Sequence, residues 1–314
     1  MTGPYRRLKW FRHERLYNWL YFDWLRFAHF SWLFSERGYR WVNRRHIERF
    51  STVYGNYTPS AAEARVLADF QRDGIAFASV SDFFDPEMLT RLQARFDRLI
   101  AEKGEAYMSD PTWYSKVLDL NGDLCSDPVI KEWVMSRSFL NIASLYLGLV
   151  PRCGAKQEYV VIPTPNEKVG AQLWHRDGSD KKITKVFVYL NDVEEDNGPF
   201  RYIKGTHHQG LLRDVLSWTG QYVWGAVERT EAMLDRYKEI FETREVVCTG
   251  KAGTIIFADT SGFHRGGHCR SGHRRMIELS YYSNAAFISI TPYLIPKSFP
   301  VPDDPALRLA FGLD

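Results

Sequence analysis

The chain has 314 residues, of which 45% are hydrophobic and 25% charged. That composition fits a globular protein with a sizeable core and excludes a disordered tract, a collagen-like repeat and a small disulfide-stapled scaffold. The net charge of +3 is unevenly placed: residues 1–50 carry eleven Lys and Arg against Glu14, Asp23, Glu36 and Glu48, a balance of +7, and the other 264 residues sum to −4.

The same fifty residues hold five of the ten Trp and fifteen aromatic side chains. They lack Pro after Pro4 and set Arg12, Arg15, Asp23, Arg26 and His29 on one side of a helical wheel, which predicts helix over residues 5–50. The apolar stretch 16–34 is broken by Asp23, Arg26 and His29, and a charge at bilayer depth costs roughly 2.5–3.5 kcal/mol, so a membrane span is not expected. No small-residue cleavage site follows, so a secretory leader is not expected either. Three roles for this front end stay open. It covers a face of the body or a subunit interface, it lies at a membrane surface with Arg6, Arg7, Lys9, Arg12 and Arg15 meeting anionic lipid, or it binds nucleic acid. Nucleic acid is the least favoured partner because no recognition module appears. Cys125, Cys153, Cys248 and Cys269 form no CxxC pair, so a cytoplasmic setting is expected, with peripheral membrane contact through residues 1–50 as its variant.

After a looser segment at 55–60, a helix is expected from Ala61. Residues 74–78 read as a short strand. Asp85-Pro86-Glu87 supplies an N-cap, a proline and an early acid for a helix over 85–104, with Leu89, Leu92, Phe96, Leu99 and Ile100 at helical spacing. From Tyr159 the texture turns to β, with short runs at 159–162, 184–190, 253–258 and 275–283; a helix-like stretch at 221–243 interrupts them. The expected class is α+β, helices first and then a barrel or sandwich of short strands. Residues 1–60 form a helical extension and 61–314 the main domain, with a lid-like insertion at about 207–250.

Trp174-His175-Arg176-Asp177 sets an imidazole and a carboxylate two residues apart, on one side of an extended segment. His264 follows the strand beginning at Gly253 and sits on a loop at its end. Two His and one carboxylate can hold one face of an octahedral metal and leave three positions open, as in non-haem Fe(II) oxygenases, although zinc hydrolases use similar donors. Eleven residues past His264 comes Arg275, whose guanidinium fork suits the distal carboxylate of a chelating 2-oxo acid. Arg275, Ile277, Leu279 and Tyr281 share one strand face, mostly apolar and therefore read as inward, while Arg274, Glu278 and Ser280 share the other. Arg275 is preferred on that basis, with Arg274 and Arg270 open because a bulge reverses parity. Asp259 reads as a turn residue, and His207, His208, His268 and His273 read as residues of turns and loops.

Taken together, His175-x-Asp177, Asp192-Val-Glu-Glu-Asp-Asn-Gly198-Pro199, Ile203-Lys-Gly205-Thr206-His207 and the run from Gly253 to His264 with Arg275 beyond it resemble the phytanoyl-CoA dioxygenase family. Phe70-Gln-Arg-Asp-Gly74-Ile-Ala-Phe and the helix after it are similar to that family's opening, and the resemblance spans roughly residues 63–290. It implies a double-stranded β-helix (jelly-roll, cupin-like) core with flanking helices, using Fe(II), 2-oxoglutarate and O2. By position it implies His175, Asp177 and His264 as iron ligands, Arg275 at the distal carboxylate of 2-oxoglutarate, and Thr184 and Gln157 as polar contacts to that co-substrate. Related halogenases replace the carboxylate ligand with a small residue, so Asp177 points to hydroxylation of an aliphatic C–H or to another oxidation rather than to halogenation. The expected substrate is a small or amphiphilic molecule, lipid-linked if the front end lies on a membrane. The alternatives are a cupin-like hydrolase or isomerase using Zn²⁺ or Mn²⁺, and a non-catalytic membrane-associated binding protein. The oligomeric state is not legible in the sequence.

Overall fold

The computed structural model describes residues 35–110, 114–120, 127–164, 170–207, 238–286 and 302–313. Residues 5–34 of the helix expected over 5–50, and most of the lid-like insertion, lie outside them. Helices α1 (Glu36–Val42) and α2 (Arg44–Tyr54) lead to α3 (Ala61–Asp73). The last starts where the sequence predicts, on a capping box in which Ser60 Oγ accepts from Glu63 N (3.2 Å) and Glu63 accepts from Ser60 N (2.8 Å). Gly74 ends α3 at φ +76°, a left-handed conformation in which any Cβ would collide with His207 and Tyr202. His207 is thereby fixed in a buried turn, its Nε2 3.3 Å from Gln71 O.

Strand β1 (Ile75–Ser79) follows, then α4 (Met88–Lys103) and the short α5 (Glu105–Ser109). The α4 helix begins two residues later than the Asp85 cap predicts. Asp85 instead stabilises a separate turn, accepting from Glu87 N (2.8 Å) through its side chain and from Met88 N (3.1 Å) through its carbonyl. Next come β2 (Ser115–Leu120), α6 (Pro128–Val134) and α7 (Arg137–Leu147). The remainder is β3 (Arg152–Val161), β4 (Thr184–Tyr189), β5 (Phe200–Ile203), α8 (Lys238–Arg244), β6 (Glu245–Val247), β7 (Thr254–Asp259), β8 (His264–Gly266), β9 (Arg274–Tyr282) and α9 (Pro305–Ala310).

The strands form two antiparallel sheets, ordered β1-β7-β4-β9-β3-β2 and β6-β5-β8. Ile75, Phe187, Tyr189, Ile256, Ala258 and Met276 of the large sheet pack on Phe200 and Tyr202 of the small one, and together they fill the space between the sheets. This is a jelly-roll. The opposite face of the large sheet, with Val186, Val188, Ile255, Phe257, Ile277, Leu279 and Tyr281, packs against Val66, Phe70, Leu92, Phe96 and Phe139 of the helices. Both faces of β4, β7 and β9 are therefore buried, which explains why their sequences run nearly continuously apolar.

One charge network crosses the helix side. Arg95 of α4, 3% exposed, donates to both carboxylate oxygens of the fully buried Glu158 on β3 (2.9 Å each) and to Asp127 (2.7 Å), the N-cap of α6. Removing one member of such a cluster strands a buried charge and costs about 3–5 kcal/mol. Arg95→Met should therefore lower the unfolding free energy by about that much in urea, and the Arg95→Met/Glu158→Leu double variant should recover much of the loss. Equal stability of Arg95→Met and the parent would contradict this.

Candidate metal centre

His175 and His264 face each other across the mouth of the jelly-roll. They form an isolated antiparallel bridge, each backbone N–H donating to the other's carbonyl at 3.0 Å. Tyr202 on β5 pairs directly with His264, so the imidazole points between the sheets, its ring centroid 5.6 Å from that of Phe200. Asp177 is anchored by its own N–H, which donates to Thr260 O (2.8 Å).

The segment carrying Thr260 and His264 is braced from behind. Asp259, fully buried at the end of β7, accepts from Tyr146 Oη (2.7 Å), Ile183 N (3.1 Å) and Ser261 N (3.0 Å). Its turn role is thus the one expected. At Gly262 a Cβ would strike the Tyr202 hydroxyl, which leaves glycine as the residue that lets the chain turn into His264.

Each imidazole is oriented by its Nδ1: His175 Nδ1 lies 2.8 Å from Leu173 O and His264 Nδ1 lies 2.9 Å from Gly262 O. A carbonyl can only accept, so both Nδ1 atoms carry the proton, and in the neutral imidazole each Nε2 then presents a lone pair. Those two Nε2 atoms are each 3.9 Å from Asp177 Oδ1. Among the described residues, His175, Asp177 and His264 are the one cluster of His, Cys, Asp or Glu that could hold a metal ion, with one ligand atom from each lying within 4.8 Å of the others. Burial, and then the neighbouring His175, push the His264 imidazole down to about 3, so it is neutral at physiological pH. Burial would raise Asp177, but Lys185 and the two imidazoles outweigh it and hold the carboxyl well below the usual range. Neutral imidazole and ionised carboxylate are the protonation states a metal requires.

The two faces of β9 reverse the expectation for the arginine. Met276, which fills the space between the sheets, fixes the inward parity as Arg274, Met276, Glu278, Ser280 and Tyr282. Arg275 shares the helix-side face with Ile277 and Leu279, and its Nη1 pairs with Asp97 of α4 at 2.7 Å. The sequence reading took the apolar face as the inner one; helices cover that face, and the polar face looks into the barrel. Arg274 is buried, its Nη1 donates to Gly198 O, and its Nε has no hydrogen-bond partner.

Thr184, which the resemblance set as a polar contact to the co-substrate, is buried at the start of β4. It alternates with Lys185, Phe187 and Tyr189, the inner residues of β4, and lies with Val186 and Val188 on the helix side. Gln157 does reach the inner face, paired across the strands with Glu278. His207 is held in its own buried turn, and His268 and His273 are half-buried. His208 and Cys125 lie outside the described residues.

Sequence reasoning missed Lys185 and Glu278. Lys185 Nζ sits between Asp177 Oδ2 (3.1 Å) and Glu278 Oε1 (3.0 Å).

The chain belongs to the phytanoyl-CoA dioxygenase family, whose profile matches residues 70–277. No curated sequence matches it. Among solved structures, the α-ketoglutarate-dependent carbocyclase SnoK from nogalamycin biosynthesis is similar with a TM-score of 0.51 at 14% identity, over 72% of this chain and 87% of that one. EctD from S. alaskensis, solved with bound Fe, is similar with a TM-score of 0.51 at 19% identity, over 72% of this chain and 79% of that one. At these identities the likeness is one of fold. No helix among the described residues is long and apolar enough to cross a membrane.

Proposed function

We propose that the protein is an Fe(II)- and 2-oxoglutarate-dependent oxygenase that hydroxylates an aliphatic C–H bond of a small or amphiphilic molecule. The observation that carries this reading is the pair of imidazoles, both tied through Nδ1 to main-chain carbonyls, whose Nε2 lone pairs converge with Asp177 Oδ1. The donor set suits Fe(II) and leaves positions open for a chelating co-substrate and O2. Family membership supports the same chemistry, and the bound Fe of EctD and the α-ketoglutarate dependence of SnoK are in keeping with it.

His175, Asp177 and His264 would hold the iron. Arg274, which faces the space between the sheets and whose buried Nε has no hydrogen-bond partner, is the cation that would receive the distal carboxylate of 2-oxoglutarate. Bound iron and 2-oxoglutarate supply, together with O2, an oxidant for an unactivated C–H bond and release succinate and CO2. The chain provides the surroundings: Phe187, Phe200 and Met276 keep the interior apolar, and the Nδ1 bonds fix the imidazole planes. Asp177 keeps the carboxylate position filled, which favours hydroxylation over halogen transfer.

Turnover tests this reading. With Fe(II), O2 and a panel of small and amphiphilic substrates, 2-oxoglutarate should be converted to succinate, and one atom of ¹⁸O2 should enter the hydroxylated product. Failure to consume 2-oxoglutarate under any of these conditions would overturn the assignment. Turnover that leaves the product unlabelled would replace hydroxylation by epimerisation, cyclisation or desaturation.

A further inference from the structure

A lysine beside a metal-binding carboxylate is an unusual neighbour, because its charge repels the cation the carboxylate attracts. Lys185 is placed there firmly. It lies on the inner face of β4, followed by the apolar and aromatic run 186–189, and its ammonium is shared by Asp177 Oδ2 (3.1 Å) and Glu278 Oε1 (3.0 Å). Glu278 is itself buried, on the inner face of β9, and its Oε1 also accepts from Ser280 Oγ (3.3 Å). Without Lys185, two carboxylates would face the same interior with no cation between them, an arrangement strongly disfavoured at low dielectric.

The geometry divides the work of the two Asp177 oxygens. Oδ1 is the atom equidistant from the two imidazoles, at 3.9 Å from each Nε2, whereas Oδ2 is engaged by the ammonium. A carboxylate can bind a metal through one oxygen or both. Binding through both would use one of the positions that the three-residue face leaves for co-substrate and O2. We propose that Lys185 is a positioning residue that holds Asp177 Oδ2, so that the carboxylate ligates through Oδ1 alone and the third open position is preserved. Glu278 serves by keeping the ammonium in place. This rests on the assignment of His175, Asp177 and His264 as the metal centre.

Water-proton relaxation of the Mn(II)-loaded, co-substrate-free protein counts the exchangeable waters on the metal and tests the proposal without turnover. The wild-type protein should carry about three, one for each open position. The Lys185→Met/Glu278→Met double variant removes the ammonium without stranding Glu278 and leaves Asp177 to pair with the metal alone, and should lose one water, a fall of about a third in inner-sphere relaxivity. Lys185→Arg, which can still engage Oδ2, should restore the wild-type value. Loss of Mn(II) binding by a double variant whose metal-free melting is unchanged would also support the role, since Asp177 is then no longer presented. Equal hydration of wild-type and double variant would overturn it, as would two waters on the wild-type protein. Should the double variant not fold, the Lys185→Gln single variant takes its place, with loss of one water supporting the role and unchanged hydration overturning it. Failure of Mn(II) to bind the wild-type protein would instead sink the metal-centre assignment itself.

Discussion

His264→Ala should bind Fe(II) at least about 100-fold more weakly than the parent and form no succinate. The estimate is a lower bound, because disturbing a group that merely orients a ligand already costs 10–100-fold in metal affinity. His264 has no substitute nearby: among the described residues no other His, Cys, Asp or Glu joins the cluster. The fold should survive. The side chain's one described hydrogen bond, to Gly262 O, contributes about 1 kcal/mol, and the brace built by Asp259, Tyr146 and Ile183 does not involve the imidazole. Anaerobic calorimetric titration with Fe(II) measures the affinity, and circular dichroism confirms the fold. A folded His264→Ala protein that keeps its Fe(II) affinity within about threefold would remove this residue from the centre.

The second large effect separates two adjacent arginines. Arg274→Ala should weaken 2-oxoglutarate binding by about 100-fold or more, in line with the 2–5 kcal/mol scale of a lost buried charge pair. Arg275→Ala should change it by less than about threefold. Arg275 pairs with Asp97, which is largely exposed, and solvent screening limits that pair to about 1 kcal/mol of stability. Arg274→Lys should recover only part of the affinity, because an ammonium cannot reproduce the planar fork. Dissociation constants of the three variants for 2-oxoglutarate, with Fe(II) bound and oxygen excluded, decide the matter. The reverse pattern, with Arg275→Ala impaired and Arg274→Ala intact, would return the role to Arg275 and contradict the strand parity.

That pair also marks where the sequence stops being informative. The triad was legible because its information is local: His175 and Asp177 are two residues apart, and His264 follows a recognisable strand. Strands β1, β4, β7 and β9 were legible because each is a short apolar run between turn residues, and α3 because it carries both its N-cap and its closing glycine. The inward face of β9 was not. An apolar face signals the core only when the other face meets water; here helices cover the apolar face, and the polar one lines the site. Lys185 and Glu278 did leave a signal: Lys185 is the one charge of β4 and Glu278 stands between Ile277 and Leu279 in β9, and a charge within so apolar a run implies a buried partner or a site. The caps of α6 and α7, Asp127 before Pro128 and Ser136 before Arg137, were equally readable and were passed over.

The central claim is that His175, Asp177 and His264 bind iron with room for 2-oxoglutarate to chelate it. Anaerobic visible absorption tests it most directly, because a 2-oxo acid chelating Fe(II) produces a charge-transfer band that neither component shows alone. The wild-type protein should develop that band only when Fe(II) and 2-oxoglutarate are both present, and His264→Ala should not develop it at any accessible concentration. A wild-type protein that binds Fe(II) yet shows no band with saturating 2-oxoglutarate, or a His264→Ala protein that shows the full band, would contradict the account.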